Sequence, residues 1–212
     1  MHLKRSKAGK TWPIERKGTK YLVRTRYRVK DSLPLTIILR DMLELAKTRK
    51  EVKKILNSGK LKVNGKVAKN EKLALILFDV VSFENKNLRL VFENKKFSLE
   101  EVKGKEAEEK IAKIIGRKIM KKGKVQINLS DGRNYLFKEK TRVGDSVVIN
   151  LKENKISEIL LFKEKARVII TAGKHLGETG IIEKVDDKSK IITLKVKEAI
   201  INFEKRNLMV IK

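Results

Sequence analysis

The 212-residue chain contains no cysteine, which removes disulfides, thiolate nucleophiles and cysteine-held zinc together. Its two histidines, His2 and His175, lie too far apart in sequence to form a recognisable metal or acid–base motif. Proline occurs twice and aromatic residues make up only 5%. The longest purely apolar run, residues 73–78, falls far short of the roughly 20 residues a membrane-spanning helix needs. The opening MHLKRSKAGK has no apolar centre, so it does not read as a secretory signal. Acidic residues are scarce: 26 Asp+Glu face 53 Lys+Arg, a formal net charge of +27. These absences argue against membrane insertion, metal chemistry, a cofactor or a small-molecule substrate, and favour a cytoplasmic chain.

What is present is a large cationic surplus on a chain whose 41% hydrophobic content is enough to build cores. Charge this far from zero opposes compaction by self-repulsion, and nucleic acid is the commonest polyanion that relieves it. It is densest over residues 1–30, where eleven Lys and Arg stand against Glu15 alone, with Trp12, Tyr21 and Tyr27 between them. The pattern predicts a basic arm, unordered until it meets a phosphate backbone. Lys4, Arg5, Lys7, Lys10, Arg26 and Arg28 would meet phosphates, and Trp12 would stack.

Residues 31–97 begin with Leu35, Ile38, Leu39, Met42 and Leu43 at helical spacing, with Pro34 in the first turn and Asp31 or Ser32 as cap. A second helix starts at Thr48, which forms a capping box with Glu51, buries Val52, Ile55 and Leu56, and stops at Gly59. Lys50, Lys53 and Lys54 point away from that stripe and Arg49 flanks it. Leu61, Val63 and Val67 are expected inward around an Asn64-Gly65 hairpin turn, before strands at 79–83 and 88–92. In residues 98–163, Ser98 and Glu101 repeat the capping-box pattern ahead of an expected helix carrying Ala107, Ile111, Ile114 and Ile115. Strand-like runs at 124–129, 143–151 and 156–162, with a turn at Asp131-Gly132, then predict a small antiparallel sheet or barrel. Residues 164–212 alternate through Val168 and Ile170, place glycines at 173, 177 and 180, and resume as strands of a five-strand-sized barrel.

Several stretches resemble known modules. Residues 34–83, with KVNGK at 62–66 and DVVSF at 79–83, resemble the alpha-L RNA-binding motif. The last segment, with GKHLGETG at 173–180, resembles a KOW motif. HLKR at 2–5, Trp12, the alpha-L motif, VGDSVVINL at 143–151 and the KOW motif, in that order, resemble the small-subunit ribosomal protein S4e family of archaea and eukaryotes, in its shorter archaeal-like form. The resemblance implies an α+β, multi-domain fold: the arm (1–30), an alpha-L helix-hairpin module (31–97), a central small antiparallel beta domain (98–163) and a C-terminal SH3-like KOW barrel (164–212). It implies a structural constituent of the small ribosomal subunit whose partners are ribosomal RNA and neighbouring small-subunit proteins. The alpha-L contacts fall on Arg40, Arg49, Lys50, Lys53, Lys54, Lys60 and Lys62, and the KOW contacts on Lys165, Arg167, Lys174 and His175.

Two alternatives share these modules: an RNA-modifying enzyme of pseudouridine-synthase type, and a basic transcription or translation factor. The first needs a catalytic aspartate in a domain of its own. Here Asp131-Gly132-Arg133 reads as a hairpin turn, and Asp79 and Asp145 sit at a strand start and a turn. No Ser/His/Asp set or phosphate-cradling glycine loop is found, so a non-enzymatic binder is expected.

Overall fold

The computed structural model describes residues 3–25, 29, 31–84, 86–120, 125–137, 141–186, 191–196 and 199–212, and the chain divides into two compact units, 1–110 and 111–212. In the first unit, β1 (Leu3–Lys4) pairs antiparallel with β2 (Tyr21–Leu22), setting Leu3 opposite Leu22. Both leucines are buried in the same core as Trp12, which is 2% exposed. The Arg5 guanidinium fastens the intervening loop, donating to the Glu15 and Thr19 carbonyls and to Thr19 Oγ1. The expected free arm is therefore corrected over its described part: residues 3–25 are anchored by three buried apolar side chains. Arg26, Tyr27 and Arg28 lie outside the described residues.

β3 (Leu33–Pro34) pairs with β6 (Ala74–Leu75), and the chain then enters α1 (Leu35–Ile37), which continues as a π-helical turn over Ile38–Met42. Pro34 is thus a strand residue with extended backbone just before the helix, and no side chain caps it, contrary to the reading that placed it in the first turn. Leu35, Ile37, Ile38 and Leu39 are all at most 1% exposed, so the helix is buried on more than one face. α2 (Arg49–Asn57) follows the sequence closely. The Thr48 side chain accepts from the Glu51 amide, and the Glu51 carboxylate accepts from the Lys47 amide at 2.7 Å and from Thr48 Oγ1. Gly59, at φ +69°, ends the helix in a conformation that glycine adopts without a Cβ penalty.

An antiparallel sheet completes this unit: β4 (Leu61–Val63), β5 (Lys66–Val67), β7 (Val80–Phe83), β8 (Lys86–Glu93) and β9 (Lys96–Glu101), in the order β5-β4-β7-β8-β9. Leu61 and Val63 are buried as expected, but Val67 is 44% exposed. Its register partner is the outward-facing Lys62, and directly opposed residues share a face of the sheet.

The helix expected after Ser98 is replaced by β9, a 3₁₀ turn over Gly104–Glu108 and the long strand β10 (Glu109–Ile119). Burial there alternates, with Lys110, Ala112 and Ile114 inside and Ile111 and Lys113 half-buried, a period of two that also suits β-branched isoleucines. β10 sits at the centre of a sheet ordered β12-β11-β10-β13-β14, formed with β11 (Val125–Leu129), β12 (Asn134–Phe137), β13 (Ser146–Asn150) and β14 (Lys155–Leu160). Ala112, Ile114, Ile127, Leu129, Val147 and Ile149 form its core. The last sheet contains β15 (Arg167–Ile170), β16 (Thr179–Asp186), β17 (Ile191–Val196), β18 (Ala199–Glu204) and β19 (Leu208–Val210), in the order β18-β17-β16-β15-β19. At Gly180 of this sheet a Cβ would come within 2.8 Å of the Lys195 carbonyl oxygen.

Candidate nucleic-acid interface

The hairpin between β4 and β5 turns on Asn64 (φ +50°) and Gly65 (φ +76°), the paired left-handed residues of a type I′ turn. Asn64 is nearly buried because its side chain is tied into the adjoining strand. Its amide nitrogen donates to Asp79 Oδ1 at 2.8 Å, and its amide oxygen accepts from the Val80 N–H at 3.0 Å. Asp79 in turn accepts from the Ile76 amide at 2.8 Å and forms an ion pair with Lys110 at 2.6 Å. Both charges are almost fully buried, at 5% and 2% side-chain exposure, so their mutual attraction is little screened. Asp79 thus does more than start a strand, and Lys110 was not singled out by the sequence at all. Through Asp79 the Asn64 turn is tied to Lys110, beneath a hairpin region on which Lys60, Lys62 and Lys66 are all exposed.

Helix α2 adds Lys50, Lys53 and Lys54, also exposed. Among the described residues the side chains of Lys50, Lys54, Lys60 and Lys62 form no hydrogen bond or ion pair, so their ammonium groups are available to an external anion. Arg49 is different: it forks onto the carboxylate of the buried Glu71, with two hydrogen bonds at 2.9 Å and a shorter ion pair. That pairing raises the Arg49 pKa and holds the Glu71 carboxyl below the usual carboxylate range. Arg40 likewise chelates its neighbour Asp41 through Nε and Nη2, which raises its pKa further. Arg49 thus ties α2 to the distant segment carrying Glu71, whereas Arg40 pairs only with the next residue on its own turn; sequence spacing revealed neither engagement.

In the N-terminal segment Lys4, Lys7 and Lys10 are exposed, whereas Arg5 directs its donors into the segment's own loop. Trp12 is a correction: its ring is in the core and its indole N–H donates to the Ser32 carbonyl at 2.9 Å, so no face is open for stacking on a base. In the C-terminal sheet, Lys165, Arg167 and Lys174 are exposed, with Lys174 in the loop 171–178. Gly173 (φ +98°) and Gly177 (φ +86°) give that loop its two left-handed bends. His175 is half-buried, 3.0 Å from Glu178 through Nδ1 and edge-on to Phe203 at 5.8 Å between ring centroids.

No group of His, Asp and Glu able to hold a metal ion is found among the described residues, and no described helix is long and apolar enough to cross a membrane. Exposed lysines on a helix and hairpin, repeated on a second small sheet, match the surface expected of a polyanion binder. Comparison with known proteins narrows that class. Residues 34–76 match the S4 domain, residues 84–156 match ribosomal family S4e, and residues 164–195 match the KOW motif. The small ribosomal subunit protein eS4 of Methanosphaera stadtmanae is 36% identical over 207 residues, covering 93% of this chain and 86% of that protein. The protein of the same name from Methanothermobacter thermautotrophicus is 37% identical over 191 residues, covering 87% and 79%. The crystal structure of the 30S ribosomal protein S4e from Thermoplasma acidophilum superposes with a TM-score of 0.75 at 28% identity, covering 85% of this chain and 95% of that one. The chain belongs to the ribosomal S4e family, a multi-domain, strand-rich protein with few helices and with S4 and KOW segments.

Proposed function

We propose that this protein is a structural constituent of the small ribosomal subunit, in the cytoplasm, where it binds and stabilises ribosomal RNA beside neighbouring ribosomal proteins. The observation that carries the reading is the set of unpaired lysines on α2 and the β4–β5 hairpin, held on a platform with a buried ionic brace. In this reading residues 31–97 act as the alpha-L module and residues 164–212 as an SH3-like KOW module, with 98–163 as the central domain and the basic N-terminal segment 1–30 adding further phosphate contacts. The contacts are made by Lys4, Lys7, Lys10, Lys50, Lys53, Lys54, Lys60 and Lys62, and by Lys165, Arg167, Lys174 and His175, with Arg5, Arg40 and Arg49 contributing charge while bracing their own segments. Phosphate contacts of this kind position a protein on folded RNA without reading bases.

The reading is non-enzymatic. Each aspartate considered for chemistry has structural partners: Asp79 those given above, Asp131 the Arg133 amide at 2.9 Å, and Asp145 the Arg142 and Phe162 amides at 2.8 Å. Binding of the full chain to a transcript of small-subunit ribosomal RNA tests the proposal. With about 10 phosphates contacted, affinity should fall roughly 10³- to 10⁵-fold between about 50 and 200 mM salt. Equal affinity for any RNA of the same length, or a flat salt response, would contradict it.

A further inference from the structure

The 3₁₀ turn Lys205–Asn207 joins β18 to β19, and four successive carbonyls, from Lys205 to Leu208, accept hydrogen bonds from distant parts of the chain. Three of them are held by one side chain on β10: Lys113 Nζ donates to the carbonyls of Lys205 at 2.8 Å, Arg206 at 3.0 Å and Leu208 at 2.6 Å. The fourth, that of Asn207, accepts from the Thr171 amide at 2.8 Å and from Thr171 Oγ1 at 3.0 Å. An ammonium has three N–H donors, so its charged form matches these three carbonyls in full. No carboxylate pairs with Lys113 among the described residues, and the main chain alone receives its charge.

Thr171 opens the loop 171–178, and the Gly177 amide closes that loop by donating to the Ile170 carbonyl at 2.8 Å. Phe203, just ahead of the turn on β18, supports His175 from the side. The turn therefore holds the glycine-bent loop at its base, the strand leading into the turn supports the loop's flank, and Lys113 holds the turn. We propose that Lys113 is a positioning residue for RNA binding: by fixing the 205–208 carbonyls it sets where Lys174 and His175 are presented. The inference rests on the reading of that loop as an RNA contact.

The surrounding charges fit a positional role. Lys205 projects over the Phe162 ring, 5.0 Å from its centroid, and Arg206 pairs with Glu204. On the adjoining segment the Asp145 carboxylate is occupied by the Arg142 and Phe162 amides. None of these replaces the contacts Lys113 makes.

The test uses the full chain with Lys113→Met, which keeps length and removes the donors, and Lys113→Arg, which restores charge and donors. Lys113→Met should exchange the Thr171 amide proton about tenfold faster, as expected for losing hydrogen bonds from a charged donor, with Lys113→Arg recovering much of the protection. Binding to the small-subunit ribosomal RNA transcript should weaken about tenfold in Lys113→Met, and adding Lys174→Ala should then cost less than it does in the wild type. If Met preserves Thr171 protection and affinity, Lys113 only fills space and the proposal fails. Additive losses from the two substitutions would likewise overturn it. Should Lys113→Met not fold, Lys113→Gln, with fewer donors and no charge, takes its place against the same criteria. Should Lys174→Ala leave wild-type binding untouched while Lys113→Met still frees Thr171, the RNA reading of the loop is what has failed.

Discussion

Asp79 and Lys110 show how a single pair can govern a surface it never reaches. Breaking a buried pair by removing one partner strands the other charge, at a cost of about 3–5 kcal/mol. Asp79→Asn should lower stability by that order in a denaturant titration, and the double change Asp79→Asn with Lys110→Met should recover part of the loss. Trp12→Ala should cost about 3–5 kcal/mol as a core truncation, while the salt slope of RNA binding stays unchanged in the folded fraction. Lys113 gives a prediction in pH. Burial, with the nearby Lys205 charge, lowers its pKa from 10.5 to about 8. Between these two values the unfolded chain binds this proton more readily, so the group's contribution to stability rises as pH climbs from about 8 to 10.5 and is constant at its lowest below about 8. The gain is up to about 3 kcal/mol. Lys113→Arg cannot lose its proton in this range and should lack the rise, a difference that thermal melts at pH 8 and pH 10 read directly.

Among the elements, α2 and the β4–β5 hairpin were legible because their signals are local. Thr48 with Glu51, Gly59 and Asn64-Gly65 each fix a backbone geometry within a few residues. The stretch after Ser98 was not, since the Ser98–Glu101 spacing and the positions of Ala107, Ile111 and Ile114 satisfy a helix pattern locally. Strand pairing with β11 decides instead, together with the hydrogen bond from the Ile114 amide to the Asp145 carbonyl. Two inward lysines escaped for a related reason: the buried Lys110 and the half-buried Lys113 look like every other lysine until the fold encloses them. The candidate interface was legible as charge and not as geometry, because sequence shows where cations stand and not which of them, like Arg5 and Arg49, are already engaged. At this scale Lys50→Ala and Lys54→Ala should each reduce the salt slope by about one and leave the melting temperature nearly unchanged. Arg49→Ala should lower the melting temperature as well, since it leaves the buried Glu71 without its guanidinium.

For the whole molecule, two separately cored units share one electrostatic problem. A chain of +27 repels itself, and that repulsion opposes the burial of its described cores. Ribosomal RNA that binds only the folded form should raise the melting temperature by mass action, and added salt should erase that gain. The central claim is that the cationic surplus anchors the protein in the small ribosomal subunit. Sucrose-gradient sedimentation of cell extract at low salt tests it most directly. The account predicts that the protein migrates with the small subunit and is stripped from it as salt rises; recovery mainly at the top of the gradient, free of subunits at low salt, would contradict it.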